Sequence, residues 1–258
     1  MKTFRVIGIA LFAVLLCVNF TSCAEDGPEA NGGGNPTGKQ LAKLDVTNEN
    51  LGQFTYTLLF YYDDKGKVVK IENIDRDYNG EQSVATYQFT WGDDVIKYQY
   101  SKPGSHGDSH IFTLKDGFIQ KGGNGDVFTY NSSRLVRSSE GSNVNNLIWN
   151  SDKLVSYFTN DDSYYSKTIT YGKTCKKGYF PLIPYLASFK NYYQYLFLAN
   201  PEIAGLRTSQ LPTKIVKDYD NDNILWAYTY EFDSEGYIST ITEENPKRGV
   251  TKYTLTWQ

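Results

Sequence analysis

The amino-acid sequence predicts an all-β domain, an antiparallel meander of repeated hairpins curled into an open or closed barrel-like sheet, with one short helical insertion. Aromatic residues make up 16% of the 258 residues, and 22 residues are tyrosines, which suit half-buried pleated surfaces. Segments that alternate between apolar and polar side chains recur along the chain, each followed by a polar turn. One apolar stretch, around residues 182–199, has helical spacing instead.

The N-terminus has the three regions of an export signal. Lys2 and Arg5 form a positive start, residues 6–18 are apolar, and small or polar residues precede Cys23. The apolar run is too short for a membrane-spanning helix, which needs about 20 residues. We therefore expect residues 1–22 to be a lipoprotein signal peptide that is cut before Cys23, whose thiol then carries a lipid anchor. An ordinary secretory signal with an incidental Cys23 is the alternative.

The rest of the chain divides into a linker and one domain. Residues 23–40 are the expected lipidated cysteine and flexible linker, because they are rich in Gly, Pro and polar side chains. Residues 41–258 are long enough for a single β-repeat domain.

Removal of the signal, with its two positive charges, moves the formal net charge from −3 to −5, which disfavours nucleic acid as a partner. Only Cys175 then remains as a free thiol, which excludes an intramolecular disulfide, and no cofactor is expected.

The hairpin pattern is an internal repeat with an irregular period of about 20–28 residues. Its instances are residues 54–74, 86–100, 110–121, 127–138, 146–158, 168–174, 228–241 and 252–257. In the second instance Tyr87, Phe89 and Trp91 share one face and polar residues occupy the other, which predicts half-buried antiparallel strands. Turns such as residues 63–66 and 233–236 contain the Asp and Gly that tight hairpins need.

The alternation stops between residues 178 and 201. Phe189, Tyr193, Leu196 and Phe197 recur at three- and four-residue steps, which indicates a helix. Prolines stand at both ends of this stretch. We expect a short helix around residues 182–199 that plugs or caps an open end of the curled sheet.

His106, Asp108 and His110 form the candidate metal site. Their residue types and rough spacing suit a metal, but zinc needs at least three protein ligands, so a polar hairpin loop is the alternative.

Four tryptophans, Trp91, Trp149, Trp226 and Trp257, are the candidate ligand-binding residues. Exposed aromatic rings stack on sugars, whereas the alternative is that these rings pack in the core. No catalytic pattern stands out, and a glycosidase carboxylate pair cannot be chosen without geometry.

Several features together resemble a Bacteroidetes-type lipoprotein family of unknown function with a porin-like curled β-fold. They are the N-terminal signal, the Gly/Pro linker, the hairpins with Asp-x-x-Gly turns, the helical insertion and the segment 205–212 (GLRTSQLP). The hairpin at residues 228–238 is also loosely similar to YD-type repeats. The acidic residues after Cys23 resemble an export tag for the outer face of the outer membrane. The resemblance implies an outer membrane lipoprotein on the cell surface, or otherwise on the periplasmic face, and supplies no catalytic residues.

These observations predict a non-enzymatic, surface-displayed lipoprotein with a ligand-binding or structural role. Its partner would be a glycan or an envelope or host protein. A hydrolase of envelope or dietary polymers, with a carboxylate site inside the barrel, is the alternative, and a scaffold without a ligand is a third. A transmembrane barrel is disfavoured, because it needs strands of about 9–11 residues with a lipid-facing band, and most strands here are expected to be shorter.

Overall fold

The alternating segments form sixteen consecutive antiparallel strands among the described residues, and these strands close into a barrel. The computed structural model describes residues 38–49, 55–76, 80–160, 166–172, 189–206, 208, 210–217 and 220–258. The strands are β1 Leu41–Asn48, β2 Thr55–Tyr62, β3 Val68–Arg76, β4 Gln82–Trp91, β5 Val95–Ser101, β6 Asp108–Lys115, β7 Phe118–Lys121, β8 Val127–Asn131, β9 Arg134–Glu140, β10 Asn143–Asn150, β11 Lys153–Thr159, β12 Lys167–Tyr171, β13 Pro212–Lys217, β14 Asp220–Phe232, β15 Ile238–Asn245 and β16 Gly249–Trp257.

The first and last strands complete the circle. In the β1–β16 pair Leu44 lies opposite Leu255, and the backbones of Gln40 and Gln258 exchange two hydrogen bonds of 2.9 Å. This arrangement confirms the predicted all-β meander and shows that the sheet is closed. Because neighbours in sequence pair throughout, the turns alternate between two ends of the barrel. We call the end with Gln40 and Gln258 the terminal end, and the end with turns 102–107, 122–126 and 141–142 the distal end.

Alternation places apolar side chains inside the barrel and polar ones outside. In β4, Tyr87 and Phe89 are buried, whereas Gln88 and Thr90 are exposed. A large apolar side chain is exposed at a few outer positions, of which Ile111 is the most open at 58%. Several strands are longer than expected from the sequence, with 10 residues in β4 and 13 in β14. Strand length therefore does not distinguish this barrel from one that crosses a membrane. The side chains on the outer wall are the more informative feature, because a membrane-spanning barrel needs an apolar outer band.

The repeated Asp-x-x-Gly turns have the same hydrogen bonds. One carboxylate oxygen of Asp63 accepts from two backbone N–H groups of its turn, at 3.0 and 2.8 Å, and Asp233 does so at 2.9 and 2.9 Å. Gly66 and Gly236 adopt φ values of 76° and 90°, which glycine reaches without a steric cost. The sequence repeat is thus a structural repeat.

Aromatic side chains fasten neighbouring strands at the terminal end, and we call them the aromatic latches. Trp91, Trp149 and Trp257 each donate their indole N–H to a backbone carbonyl of the preceding strand at 2.7 Å. The hydroxyls of Tyr62, Tyr171 and Tyr230 donate in the same way to Leu41, Leu154 and Pro212. Each latch lies within two residues of the end of an even-numbered strand, so the sequence pattern of an aromatic residue before a polar turn has a structural cause.

The helical insertion lies inside the barrel. Helix α1, Asn191–Ala199, buries six of its nine residues, and the side chains around most of its circumference contact barrel residues. It begins near Asp126 at the distal end, and the Gly205 that follows it packs beside Ser133 in a turn of the terminal end. This confirms the single short helix; residues 182–188 of the predicted range lie outside the described part. No helix among the described residues is long and apolar enough to cross a membrane.

Candidate functional site at the distal end of the barrel

The inward-facing residues change in character along the barrel. Near the terminal end the fully buried ones are hydrocarbon side chains, against which the aromatic latches pack, namely Leu58, Phe60, Ile71, Ile96, Ile119, Leu135, Leu154, Ile169, Ile215, Ile238 and Leu255. Near the distal end they include tyrosines, asparagines and four carboxyl groups, those of Asp75, Asp126, Glu140 and Glu243. Buried carboxyl groups are rare unless they are paired or functional, so the distal half of the interior is the candidate site.

Asp126 is the most deeply buried of these carboxyl groups, with a relative exposure of 0%. Lys190, the residue before helix α1, donates from Nζ to both carboxylate oxygens at 2.8 and 2.6 Å, and the Tyr193 hydroxyl donates at 3.0 Å. The ion pair compensates for moving the carboxylate out of water. It also fixes the start of the helix against the turn between β7 and β8.

Glu140 lies beside this ion pair. Its Oε2 atom accepts from the backbone N–H of Lys190 at 3.2 Å, while Oε1 is buried without a hydrogen-bond partner among the described residues. Burial raises the pKa of Glu140 to about 7, against the lowering effect of that N–H group, and the nearby Asp126 carboxylate raises it further. Glu140 therefore titrates near neutral pH.

Two glycines at this end lie where a larger residue would not fit, Gly122 against the helix and Gly123 against β6. A Cβ atom at Gly122 would lie 1.4 Å from the Tyr193 hydroxyl, and one at Gly123 would lie 2.4 Å from Nδ1 of His110. The glycine-rich segment that contains them forms a single 3-10 turn, Gly123–Gly125. Its small residues make room for the tyrosine and histidine rings.

A second group of polar side chains surrounds Glu243 on β15. The hydroxyls of Tyr228 and Tyr253 face its carboxyl, and its Oε2 atom is buried without a hydrogen-bond partner among the described residues. Burial raises the pKa of Glu243 to about 7, although hydrogen bonds from the two tyrosines lower it. Burial, together with the Asp75 and Glu243 carboxylates, raises the pKa of Tyr56 to about 12, so Tyr56 lies close to both acids.

The structure brings two of the three predicted metal-site residues together. His110 Nε2 lies 2.8 Å from Oδ2 of Asp108, and the His110 ring stacks on Tyr98 with centroids 5.7 Å apart. His106 lies in the exposed turn between β5 and β6. No group of three His, Cys, Asp or Glu side chains in the described part of the chain is arranged to hold a metal ion. The metal proposal rests on sequence spacing alone.

The four tryptophans are half-buried and packed against the core. Trp91, Trp149 and Trp257 are aromatic latches, and cationic side chains cover two of their rings, since Lys67 lies 4.9 Å from the Trp91 centroid and Arg134 lies 5.0 Å from that of Trp149. These positions give the rings a packing role. The prediction that they bind a ligand stays a prediction.

Sequence reasoning did not single out the residues that form the distal site. For Glu140 and Glu243 a signal existed, because each is a charged residue at an inward-facing position of an alternating strand. Asp126 and Lys190 carried no such signal, since they lie 64 positions apart and meet only because the helix enters the barrel. Residues 1–37, including the predicted signal peptide, Cys23 and most of the linker, lie outside the described residues, as does Cys175.

Comparison with solved structures finds the same fold elsewhere. A porin-like protein from Bacteroides uniformis ATCC 8492 aligns with a TM-score of 0.64 at 12% sequence identity, over 84% of this chain and 98% of that chain. A porin-like protein from Bacteroides vulgatus ATCC 8482 aligns with a TM-score of 0.43 at 11% identity, over 86% of this chain and 99% of that chain. The first alignment shows a shared porin-like β-fold. No family model and no curated protein matches this chain.

Proposed function

We propose that this chain is a non-enzymatic lipoprotein of the bacterial envelope that binds its partner through the distal end of a filled barrel. The observation that carries the proposal is the division of the interior. Hydrocarbon side chains and the aromatic latches fill the terminal end, whereas the buried carboxyl groups of the described residues lie near the distal end. Polar groups converging in one part of an otherwise apolar interior are typical of binding sites.

The interior and the outer wall both favour a filled barrel over a membrane pore. Helix α1 and the aromatic residues around it occupy the lumen, as the contacts of Tyr193 with Phe112 and Phe128 illustrate. The outer wall presents exposed charged and polar residues such as Lys97, Glu231 and Lys252, where a lipid-facing band would need apolar ones. The shared fold of the porin-like protein from B. uniformis agrees with an envelope location.

The two ends of the barrel also differ in where the described chain enters it. Gln40, the residue before β1, bonds to Gln258 at the terminal end. The distal end is the one that we propose for binding a glycan or an envelope or host protein on the cell surface.

Lipid attachment is tested by growing expressing cells with an alkyne-tagged fatty acid. We expect the chain to be labelled and Cys23→Ala to abolish labelling. Cys17→Ala, at the cysteine within the apolar run of residues 6–18, should leave labelling unchanged. An unlabelled wild-type chain, or loss of label on Cys17→Ala, contradicts the anchor.

Binding is tested by probing a glycan and mucin array with residues 24–258. We expect saturable binding that weakens when Asp75 at the distal end is changed to Asn, and that persists when Asp152 at the terminal end is changed to Asn. Binding that depends on Asp152 instead contradicts the assignment of the site. A blank array contradicts the glycan version and leaves a protein partner to be sought by crosslinking on intact cells.

A hydrolase is the second candidate, and the proximity of Glu140 to Asp126 is the observation that favours it. A carboxyl group with a pKa of about 7 suits a general acid. Against this role, Asp126 is fully buried and bound by Lys190. Release of reducing ends from envelope or dietary polysaccharides by the wild type, but not by Glu140→Gln, would support the hydrolase over the binding protein.

A further inference from the structure

A group of polar side chains on the wall from β14 to β3 carries an inference about the ligand, and we call it the Glu243 group. It comprises Glu243, Asp75, Asn73 and the tyrosines Tyr56, Tyr228 and Tyr253. Tyr56 lies opposite Asp75 in the pairing of β2 with β3, and both Asp75 and Glu243 act on it electrostatically, so it lies near both carboxyl groups. The group lies on a different part of the wall from the ion pair of Asp126 and Lys190.

Although Tyr228 and Tyr253 bond to the Glu243 carboxyl, two buried oxygen atoms in this group are left without a hydrogen donor. Oε2 of Glu243 and Oδ1 of Asn73 have no partner among the described residues, and both residues are only 8% exposed. The amide nitrogen of Asn73 donates to the Tyr195 hydroxyl at 3.3 Å, so this side chain points into the barrel. Leaving a buried acceptor unpaired costs about 1–3 kcal/mol, and such atoms in folded proteins usually meet a donor from water or a ligand.

The charge of the group is also uncompensated at close range. No ion pair within the described part of the chain reaches Asp75 or Glu243. Lys102 and Arg248, in turns of the distal end, act on them only as nearby charges. Burial raises the pKa of both carboxyl groups, which is the expected response of acids that lack a bound counter-charge.

We propose that the Glu243 group binds a small molecule that carries protonated primary amines. An ammonium group has three donors and no acceptor, so it can satisfy Oε2 of Glu243 without adding an unpaired oxygen. A second amine would bind Asp75, which lies opposite Tyr56 in the strand register. This inference deepens the proposed binding role and rests on it.

The test compares two ligands of the same length by isothermal titration calorimetry on the full-length chain in detergent. They are 1,4-diaminobutane, with two ammonium groups, and 1,4-butanediol, with two neutral hydroxyls. We expect saturable binding of the diamine and none of the diol. Because Glu243 carries a proton at slightly acidic pH, binding at pH 6 should release it, and the measured heat should vary with the ionisation enthalpy of the buffer.

Three variants separate the site from general electrostatic attraction. We expect Glu243→Gln to weaken diamine binding by about tenfold or more and to remove the proton release. Asp75→Asn is the second site variant, and it decides the question if Glu243→Gln does not fold. Glu231→Gln, on the exposed outer wall of β14, is the matched control and should bind like the wild type.

Equal binding of the diol, absence of diamine binding, or an equal loss in Glu231→Gln would each overturn the proposal. Failure of the diamine while the chain still binds a partner on the array would reject the amine ligand and keep the proposed function. Loss of both would reject the two together.

Discussion

Glu140 and Glu243 place two carboxyl groups with pKa values of about 7 inside one protein. In the unfolded chain both titrate near 4.5. The protonated form is therefore favoured by folding, and the stability it contributes is present below pH 4.5 and lost as the pH rises through 7. At 1.36 kcal/mol per unit of pKa shift, each group changes the free energy of unfolding by up to about 3 kcal/mol between these limits.

We expect the free energy of unfolding of the wild type to decrease between pH 5 and pH 8. The decrease should be smaller in Glu243→Gln, because glutamine stays neutral over this range. Urea denaturation at a series of pH values measures the difference. Glu231→Gln, on the outer wall, should keep the wild-type dependence. Identical pH dependence in wild type and Glu243→Gln would show that the carboxyl group is solvated.

Lys190 is the counter-charge of a fully buried carboxylate. Lys190→Met should therefore lower the free energy of unfolding by about 3 kcal/mol, because removal of one partner leaves Asp126 buried and unpaired. Lys39→Met, which breaks the solvent-exposed ion pair with Glu235, should have little effect. Thermal and urea unfolding measure both variants. If the double variant Lys190→Met with Asp126→Asn were no more stable than Lys190→Met alone, the unpaired charge would not be the cause.

At the scale of elements, the segment that follows helix α1 makes a close contact that only glycine permits. A Cβ atom at Gly205 would lie 2.4 Å from the carbonyl oxygen of Ser133, whereas one at Gly141 would have nothing within 4 Å. Both glycines have positive φ, 61° and 64°, so the backbone cost of alanine is the same at the two sites. The difference in stability between alanine substitutions at Gly205 and Gly141 therefore measures how closely the segment after the helix is packed.

We expect Gly141→Ala to cost about 1 kcal/mol, the usual cost of placing a side chain in the left-handed region, and Gly205→Ala to cost clearly more. Urea denaturation gives the two free energies of unfolding. Hydrogen exchange of the helix amides should accelerate in Gly205→Ala alone. Equal costs would mean that this segment does not pack against the turn between β8 and β9.

The sequence was informative for elements that depend on local pattern. Alternation predicts strands such as β4 and β16. The Asp-x-x-Gly turns are recognisable because the Asp63 and Asp233 carboxylates accept hydrogen bonds from backbone N–H groups no more than four residues further on. The helix was recognisable from its spacing, but its environment was not. Spacing shows that Tyr193 and Phe197 share a face with other apolar residues, and it cannot show that a barrel encloses them on several sides.

At the scale of the whole molecule, closure and the distal site could not be predicted. An alternating meander fits an open or a closed sheet equally well, and the decision depends on the pairing of β1 with β16, more than 200 residues apart. The distal site likewise combines Asp75, Asp126, Glu140, Lys190 and Glu243 from distant parts of the chain. The sequence predicts the tryptophans as ligand-binding residues because exposed aromatic rings stack on sugars, whereas the structure uses three of them as aromatic latches.

Photo-crosslinking on intact cells tests most directly whether the partner binds at the distal end, where the buried carboxyl groups lie, and not at the terminal end. Benzoylphenylalanine placed at Asn143 or at Asn150 samples the two ends of the same strand, β10, at exposed positions. We expect a specific adduct from position 143 and none from position 150. Adducts from position 150 alone, equal adducts from both, or no adduct from either would contradict a binding role for the distal end.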